Sequence, residues 1–309
     1  MGKMRIGLCW GDSYGIGPEI VKILIESKKL TSEVQWLHFV PQSTVDYYQI
    51  KNIEIISDTE FVFDPLKIGK VDRASGKASA QLFRRAVEFA QTNKIDAVVT
   101  GPINKKAVLL GGEKLTGHTE IIKQMTGVSD VVMTFFSPVL NVALQTVHVP
   151  LKEVAQMIAK KDLVKTYQVV HEGLKRYGIS NPRLAVAGLN PHAGEEGMMG
   201  DEDIKILEPA ILKAKALGIN ISGPYSADTL FYRAMQKEFD LVIAQYHDQG
   251  LAPLKAVAFD TAVNVSLGSP VIRTSVDHGT GFDIVGKGLA NPASLLSAIE
   301  VAIRFVKNK

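Results

Sequence analysis

Three histidines each follow an apolar run of the sequence and lie among turn-forming residues. They are His148, His192 and His247. Because the carboxyl ends of strands in one sheet converge, imidazoles that are far apart in sequence can meet there. Three neutral imidazoles with an open position are a common catalytic set for zinc or a similar divalent ion. Three unconnected polar strand ends are the alternative, since single histidines lack the specificity of a spaced motif such as H-E-x-x-H.

The stretch that contains His247 carries several reactive groups. The apolar run 241–244 stops at a polar segment with His247 and Asp248, and Lys255 follows in otherwise apolar surroundings. A short apolar run closed by turn formers is typical of a buried strand, and ligands collect at the carboxyl ends of such strands. An imidazole, a carboxylate, an amide and an amine delivered together can bind a metal, move a proton or hold a phosphate. A polar turn that leads into the next strand is the alternative.

Basic groups further along the chain favour an anion site. Lys255 and Arg273, with Asn264 between them in the sequence, could hold a phosphate or carboxylate through charge-assisted hydrogen bonds. His118 and Thr119 lie at the predicted start of a helix, where backbone N–H groups suit an anion. Alternatively, these two residues only form the first turn of that helix.

Alternating strands and helices must position these groups. Buried strands are predicted at 95–100 and 184–189, and one long helix is predicted over 151–177. Thr116 is the predicted cap of the helix that contains His118. The order of elements indicates a largely parallel α/β protein. The loop after the first predicted strand has the spacing G-x-x-x-G-x-G, which is not the G-x-G-x-x-G fingerprint of a Rossmann fold.

The composition is that of an ordinary globular protein. The 309 residues are 46% hydrophobic and 22% charged, which allows two packed domains or one large one. The formal net charge is +3 without a basic stripe, so nucleic acid is not an expected partner. We expect no membrane span and no secretory signal, because no apolar run is long enough. The single cysteine, Cys9, favours a reducing compartment, so a cytoplasmic protein is expected.

A series of short motifs extends along most of the chain. They read GDSYGIGPE, TGPINK, GHTE, LNPHAGE, YHDQGL and SVDHGT. Together they resemble the 4-hydroxythreonine-4-phosphate dehydrogenase family of the vitamin B6 pathway. The resemblance implies an NAD(P)-dependent, metal-assisted oxidation of the 3-hydroxyl of 4-phosphooxy-L-threonine. The resulting β-keto acid then loses carbon dioxide and yields 3-amino-2-oxopropyl phosphate, in the synthesis of pyridoxal phosphate.

The resemblance also implies roles for individual residues. The metal, zinc or else magnesium, cobalt or nickel, would be bound by His148, His192 and His247. The substrate would contact His118, Thr119, Lys255, Asn264 and Arg273. Lys255 is the candidate for proton transfer, with Asp248 and Asp228 positioning water on the metal or the substrate amine. Because the family forms a homodimer whose active site draws on both subunits, one imidazole is expected from across the interface.

The fold that the resemblance implies is α/β, with two α/β/α domains and a cleft between them. It is similar to isocitrate and isopropylmalate dehydrogenases and has no Rossmann fingerprint. The first, discontinuous domain would comprise residues 1–125 and 268–309 with the cofactor loop. The second would comprise 126–267 with the metal ligands and the dimer interface. Residues 278–292 are similar to the adenosine-binding loop of isopropylmalate dehydrogenases, which offers NAD or NADP the candidate contacts His278, Gly279, Thr280, Asp283 and Asn291.

Two departures from the family pattern concern the substrate. Ser13 and Tyr14 stand where the family usually has Pro and Ala, and residues 41–70 look shorter than in many members. A dehydrogenase for D-threonate or D-erythronate 4-phosphate is therefore an alternative. More distant alternatives are a three-histidine metal-dependent lyase that needs no NAD, and a phosphate-ester binding or acyl-transfer protein.

Overall fold

The computed structural model describes residues 3–115 and 117–309, so the cap predicted at Thr116 lies outside the described residues. The chain forms two compact units. The first unit comprises Met1–Ser129 and Ser269–Lys307, and the second comprises Asp130–Gly268 with Asn308–Lys309. Each unit has its own strands with helices packed against them.

Strands and helices alternate along most of the described chain. The strands are β1 (Met4–Cys9), β2 (Val34–Phe39), β3 (Glu54–Ile56), β4 (Ala97–Thr100), β5 (Val132–Phe136), β6 (Val142–Leu144), β7 (Leu184–Ala187), β8 (Ile221–Tyr225), β9 (Leu241–Ala244), β10 (Val263–Leu267) and β11 (Arg273–Val276). The α-helices are α1 (Gly17–Glu26), α2 (Gln42–Tyr48), α3 (Arg73–Gln91), α4 (Lys105–Leu110), α5 (His118–Thr126), α6 (Val154–Lys160), α7 (Leu163–Arg176), α8 (Glu208–Ala216), α9 (Ala227–Met235), α10 (His247–Ala258) and α11 (Ala293–Lys307). The predicted α/β class is confirmed.

The first unit contains five parallel strands in the order β3-β2-β1-β4-β11. Strand β4 is buried along its whole length, as its apolar sequence predicts. Helix α3 begins where the Asp72 carboxylate accepts hydrogen bonds from the N–H groups of Ala74 and Ser75. Its apolar face, with Leu82 and Phe83, packs on the sheet. The carboxyl ends of β1, β4 and β11 therefore lie at one edge.

The second unit contains strands in the order β10-β5-β6-β9-β7-β8. The pairs β10–β5 and β5–β6 are antiparallel, whereas β6, β9, β7 and β8 run parallel. Strands β6, β7 and β9 are fully buried, because their short apolar sequences are covered on both faces. The segments after β6, β9, β7 and β8 are consequently brought to one edge of this sheet.

Two sequence interpretations are wrong in detail. The helix predicted over 151–177 is interrupted between α6 and α7, where Asp162 caps α7 by accepting a hydrogen bond from Lys165 N at 3.1 Å. The polar segment after β9 does not lead to another strand, because it continues directly as α10 with Pro253 inside the helix. Among the described residues, the helices are too short or too polar to cross a membrane.

Candidate functional site

The edge formed by the parallel strands of the second unit carries four predicted site residues. His148 follows β6, His247 opens α10 after β9, His192 follows β7 and Asp228 lies in the first turn of α9 after β8. Because these strands are neighbours in the order β6-β9-β7-β8, the four residues are arranged along the edge in the corresponding order. Strand order therefore decides which of them meet.

His148 and His247 lie side by side. Their ring centroids are 5.7 Å apart, with an angle of 41° between the ring planes. Both line a cavity of about 380 Å³, whose other walls are Val147, Val149, Leu151, Val154, Tyr246 and Asp248. The Asp248 carboxylate lies 2.6 Å from Nδ1 of His247. A carboxylate can only accept, so Nδ1 carries the proton and the ring lone pair lies on Nε2.

This pair has the chemistry of a partial metal site. Two imidazoles that share one tetrahedral ion have ring centroids roughly 5 Å apart, which is close to the observed separation. A carboxylate on the other ring nitrogen is the usual support of a metal-binding histidine. In residues 3–115 and 117–309, no group of three or more His, Cys, Asp or Glu side chains is close enough to hold a metal ion. One chain thus supplies two imidazoles that fit a divalent ion.

His192 lies beside Asp228 instead of joining this pair. The Ser226 hydroxyl donates to Asp228 Oδ1 at 2.6 Å. That hydrogen bond, and then the neighbouring His192, hold the pKa of Asp228 below its usual range. Asp228 is exposed and therefore ionised at neutral pH. The two residues come together because β7 and β8 are adjacent.

Gln249 connects the strand ends that lead to the histidines. Its Oε1 accepts from Gln245 N at 2.7 Å, and its Nε2 donates to Gly188 O at 2.7 Å. The Thr146 hydroxyl donates to Gln245 O at 2.7 Å, so the ends of β6, β9 and β7 are tied together. The sequence predicted an amide among the polar groups of this segment but no specific role for Gln249, which stands in the YHDQGL motif close to His247.

Lys255 and Asn264 lie further along the second unit. Lys255 is half-buried on α10, and its Nζ lies 5.7 Å from the centroid of the Phe259 ring. Because it is seven residues after Asp248, it lies on the same face of the helix, roughly 10 Å further along the axis. Asn264 is half-buried on β10, opposite Phe135 of β5.

A buried guanidinium marks the edge of the first unit. Arg273 opens β11 next to β4 and is only 4% exposed. Its Nη2 donates to Thr100 Oγ1 and to His118 Nδ1, each at 2.9 Å. Burial lowers the pKa of Arg273 to about 9, so the group keeps its charge at neutral pH. Thr100 was not predicted as a site residue, although it ends an apolar run and is the first residue of the TGPINK motif.

His118 presents a buried donor next to this charge. Because its Nδ1 accepts from Arg273, its Nε2 carries the ring proton. That Nε2 is buried without a hydrogen-bond partner among the described residues. Burial, and then the charges of Arg273 and Lys105, hold the pKa of His118 well below its usual range, so the ring is neutral. A fixed cation and an unfilled N–H suit an anionic oxygen. Thr119 is half-buried in the same helical turn.

The predicted cofactor loop is fastened to the GDSYGIGPE segment. Thr280 O accepts from Ile16 N at 2.9 Å, and Gly286 N donates to Glu19 Oε1 at 2.5 Å. His278 donates from Nδ1 to Gly279 O at 2.9 Å, which leaves its buried Nε2 without a partner in the described part of the chain. The loop is thus held at its start and in its middle.

The remaining candidate contacts of this loop differ in exposure. Gly279 and Asp283 are exposed, whereas Thr280 is buried. Asn291 is exposed and accepts from Ala293 N at 3.0 Å, at the start of α11. The backbone of Gly279 has open space where a side chain would stand. The loop can therefore be approached by a ligand around Gly279.

Comparison with known proteins places this chain among pyridoxal phosphate biosynthetic proteins. The family described as "Pyridoxal phosphate biosynthetic protein PdxA" matches residues 19–302. A 4-hydroxythreonine-4-phosphate dehydrogenase from Desulforapulum autotrophicum is 39% identical, over 96% of this chain and 94% of that protein. A D-threonate 4-phosphate dehydrogenase from Cupriavidus necator is also 39% identical, over 95% of each chain.

A solved structure agrees with these matches. The 4-hydroxythreonine-4-phosphate dehydrogenase from Klebsiella pneumoniae is 34% identical, with a TM-score of 0.84 over 99% of this chain and 98% of that one. The motif resemblance and the prediction of a dehydrogenase are confirmed. The chain belongs to the PdxA family of pyridoxal phosphate biosynthetic proteins.

Proposed function

We propose that this protein oxidises 4-phosphooxy-L-threonine at its 3-hydroxyl with NAD or NADP and a divalent metal ion, and that the product decarboxylates to 3-amino-2-oxopropyl phosphate. The observation that carries the proposal is the His148–His247 pair, with Asp248 on Nδ1 of His247. An unassisted secondary alcohol has too high a pKa to lose its proton near neutral pH. Its oxidation therefore needs a site that stabilises negative charge on oxygen.

His148 and His247 are the proposed metal ligands of one chain. When bound, a divalent ion supplies Lewis-acid stabilisation of negative charge on substrate oxygens. His192 is the proposed third ligand, contributed by a second copy of the chain in a homodimer. Its place beside Asp228, and not in the His148–His247 pair, supports this arrangement. Imidazole ligands suit zinc best, although cobalt and nickel also bind such sets.

Arg273 and His118 are the proposed anion-binding groups. The guanidinium offers a fixed charge, and His118 Nε2–H offers a neutral donor that is buried and unfilled among the described residues. Both suit the phosphate or carboxylate oxygens of the substrate. Thr119, in the same helical turn as His118, is assigned to the same task. Asn264 is a proposed substrate contact contributed by the second unit. The nicotinamide dinucleotide is assigned to the loop around His278 and Gly279, where the unfilled Nε2 can accept a hydrogen bond.

Lys255 is the proposed proton-transfer group. As an ammonium it can donate a proton to the carbon that loses carbon dioxide. Asp248 keeps the His247 ring in one tautomer through the hydrogen bond at 2.6 Å. Asp228, which is exposed and ionised, is suited to the substrate ammonium through charge attraction.

Oxidation of D-threonate 4-phosphate is the second candidate function. The relative from Cupriavidus necator that carries this name is as similar to the chain as the threonine-type relative, at 39% identity each. The two substrates differ at C2, which bears an ammonium in one and a hydroxyl in the other. A neutral hydroxyl gains less from a carboxylate such as Asp228 than an ammonium does.

A spectrophotometric panel tests the proposal. The purified protein is given 4-phosphorylated threonine, threonate and erythronate in turn, with NAD or NADP and with zinc, cobalt, nickel or magnesium. We expect reduced nicotinamide and carbon dioxide in equal amounts from the threonine ester. If only the nitrogen-free acids react, the vitamin B6 role fails and the second candidate stands. If no combination reduces a nicotinamide, both dehydrogenase proposals fail.

A further inference from the structure

His192 is presented by a strained turn of the backbone. Five consecutive residues have positive φ angles, with 52° at His192, 53° at Ala193, 86° at Gly194, 43° at Glu195 and 54° at Glu196. Four of the five are not glycine, and left-handed backbone is unfavourable for each of those. Such a run persists only where the surrounding structure holds it, and strain of this kind is concentrated at functional sites.

A buried carboxylate holds the root of this turn. Asp203 is 0% exposed. Its Oδ1 accepts from Leu189 N at 2.8 Å, and its Oδ2 accepts from Asn190 N at 3.0 Å and from Asn190 Nδ2 at 3.1 Å. These bonds fix Leu189 and Asn190, the two residues directly before Pro191. The direction in which the chain enters the turn is therefore set by Asp203.

The carboxylate that supports the turn is joined to neighbouring elements. Asp203 opens a π-helical segment, Asp203–Leu207, that runs directly into α8. A Cβ on Gly188 would lie 3.0 Å from Asp203 Oδ1, so the carboxylate and the end of β7 are in close contact. On the other side, Gln249 Nε2 donates to Gly188 O. The same glutamine accepts from Gln245 N, two positions before His247. One network thus connects the approaches to both histidines.

We propose that Asp203 is a positioning residue for His192, holding the left-handed turn in the shape that offers the imidazole to a divalent cation. This inference rests on the proposed role of His192 as a metal ligand. A carboxylate that only stabilises the fold would occupy the same place, so the test must separate metal affinity from stability. Groups that orient metal ligands typically contribute about 10- to 100-fold to metal affinity.

The test compares Asp203→Asn with a matched control. The substitution keeps the side-chain volume but places an NH₂ group against N–H donors. Zinc binding to the metal-free protein is measured by calorimetry, and turnover is measured against zinc concentration. We expect affinity to fall about 10- to 100-fold, with the activity curve shifted to higher zinc, KM for the nicotinamide unchanged and faster hydrogen exchange in residues 190–200.

Asp240→Asn is the matched control in the same unit. Asp240 directly precedes β9. Like Asp203, it accepts a hydrogen bond from a backbone N–H, here Arg183 N at 2.7 Å, and it also pairs with the Arg183 guanidinium. It lies at the opposite end of the strand from His247. We expect this variant to lose thermal stability and to keep the zinc affinity of the wild type. Equal losses of affinity in both variants would reduce Asp203 to a general stabilising group and overturn the inference.

Other outcomes also decide between the two proposals. If Asp203→Asn binds zinc like the wild type, the inference is overturned. If the wild type neither binds zinc nor turns over substrate, the proposed function fails first and the inference falls with it. If Asp203→Asn does not fold, Asn190→Ala takes its place, because it removes only the Nδ2 bonds to Asp203 and to Glu202 Oε2. A wild-type zinc affinity in that variant would then reject the positioning role.

Discussion

Replacement of Arg273 by lysine should separate the geometry of the anion site from its charge. The guanidinium donates to Thr100 Oγ1 through Nε at 3.2 Å and through Nη2 at 2.9 Å, and Nη2 also donates to His118 Nδ1 at 2.9 Å. A lysine keeps the positive charge but carries a single nitrogen on a flexible stem. It cannot serve both partners and a substrate oxygen in the same planar geometry.

The expected magnitude is set by the bonds that are lost. A hydrogen bond to a charged group is worth about 1.5–3 kcal/mol, and the loss of one such bond to the substrate lowers kcat/KM about 10- to 150-fold. His118 would also lose the donor that fixes its tautomer, so the loss should fall in the upper half of this range. Because lysine retains the charge, the loss should stay below that of Arg273→Met.

The assay is the nicotinamide reaction with the phosphorylated substrate near neutral pH. The control is Arg84→Lys, which breaks a comparable fork to Glu113 Oε1 and Oε2, at 3.3 and 2.8 Å, on the partly exposed surface of the same unit. That variant should keep kcat/KM within about twofold, since exposed pairs contribute about 1 kcal/mol or less to stability. If Arg273→Lys also stayed within about threefold of the wild type, the anion-site assignment would be refuted.

Three further predictions concern the metal site, acid stability and the Tyr14 departure. His247→Asn should weaken zinc binding by more than about 100-fold, whereas His171→Asn on α7 should leave it unchanged; equal effects would contradict the assignment. Burial lowers the pKa of His38 to about 4, whereas the ordinary value of 6.5 applies in the unfolded chain. Between these two pH values the unfolded chain therefore binds one more proton than the folded chain. The free energy of unfolding should fall by up to about 3 kcal/mol as the pH drops through this range. Denaturation experiments on His38→Gln should not show this loss. Tyr14→Phe should lower stability by about 1 kcal/mol without changing the preference between threonine and threonate esters, and a changed preference would show that Tyr14 acts on the substrate.

The placement of the strand ends is determined by local sequence. Strands β6, β7 and β9 are short apolar runs, each closed by polar residues, and the structure buries all three. Parallel packing then brings the residues after these strands to one edge, whatever the intervals along the chain. That is why histidines from different parts of the sequence could be considered as one set from the sequence alone.

The order of the strands could not be read from the sequence. His148 meets His247 because β6 lies next to β9, and His192 meets Asp228 because β7 lies next to β8. Nothing in the local pattern specifies these neighbours. The left-handed turn is equally hidden, because it depends on Asp203, which is buried against Leu189 N and Asn190 N, 13 to 14 positions away in the sequence. Both features are set by tertiary contacts that override local preference.

The departure at Ser13 and Tyr14 shows how a change in a functional motif can serve packing. Tyr14 is 1% exposed, stacks near Phe61 and Phe63, and its hydroxyl accepts from Asp64 N at 3.2 Å. Ser13 is also buried, and its hydroxyl accepts a hydrogen bond from Thr44 Oγ1 at 3.0 Å. Tyr14 therefore anchors the segment 61–69, whereas Ser13 is joined to Thr44 of α2 and to Ser75 of α3. Because the ring and the hydroxyl of Tyr14 are engaged in these contacts, we expect Tyr14 to act on packing and not on the choice of substrate. Discrimination between an ammonium and a hydroxyl at C2 is therefore a proposed task of exposed charged groups such as Asp228.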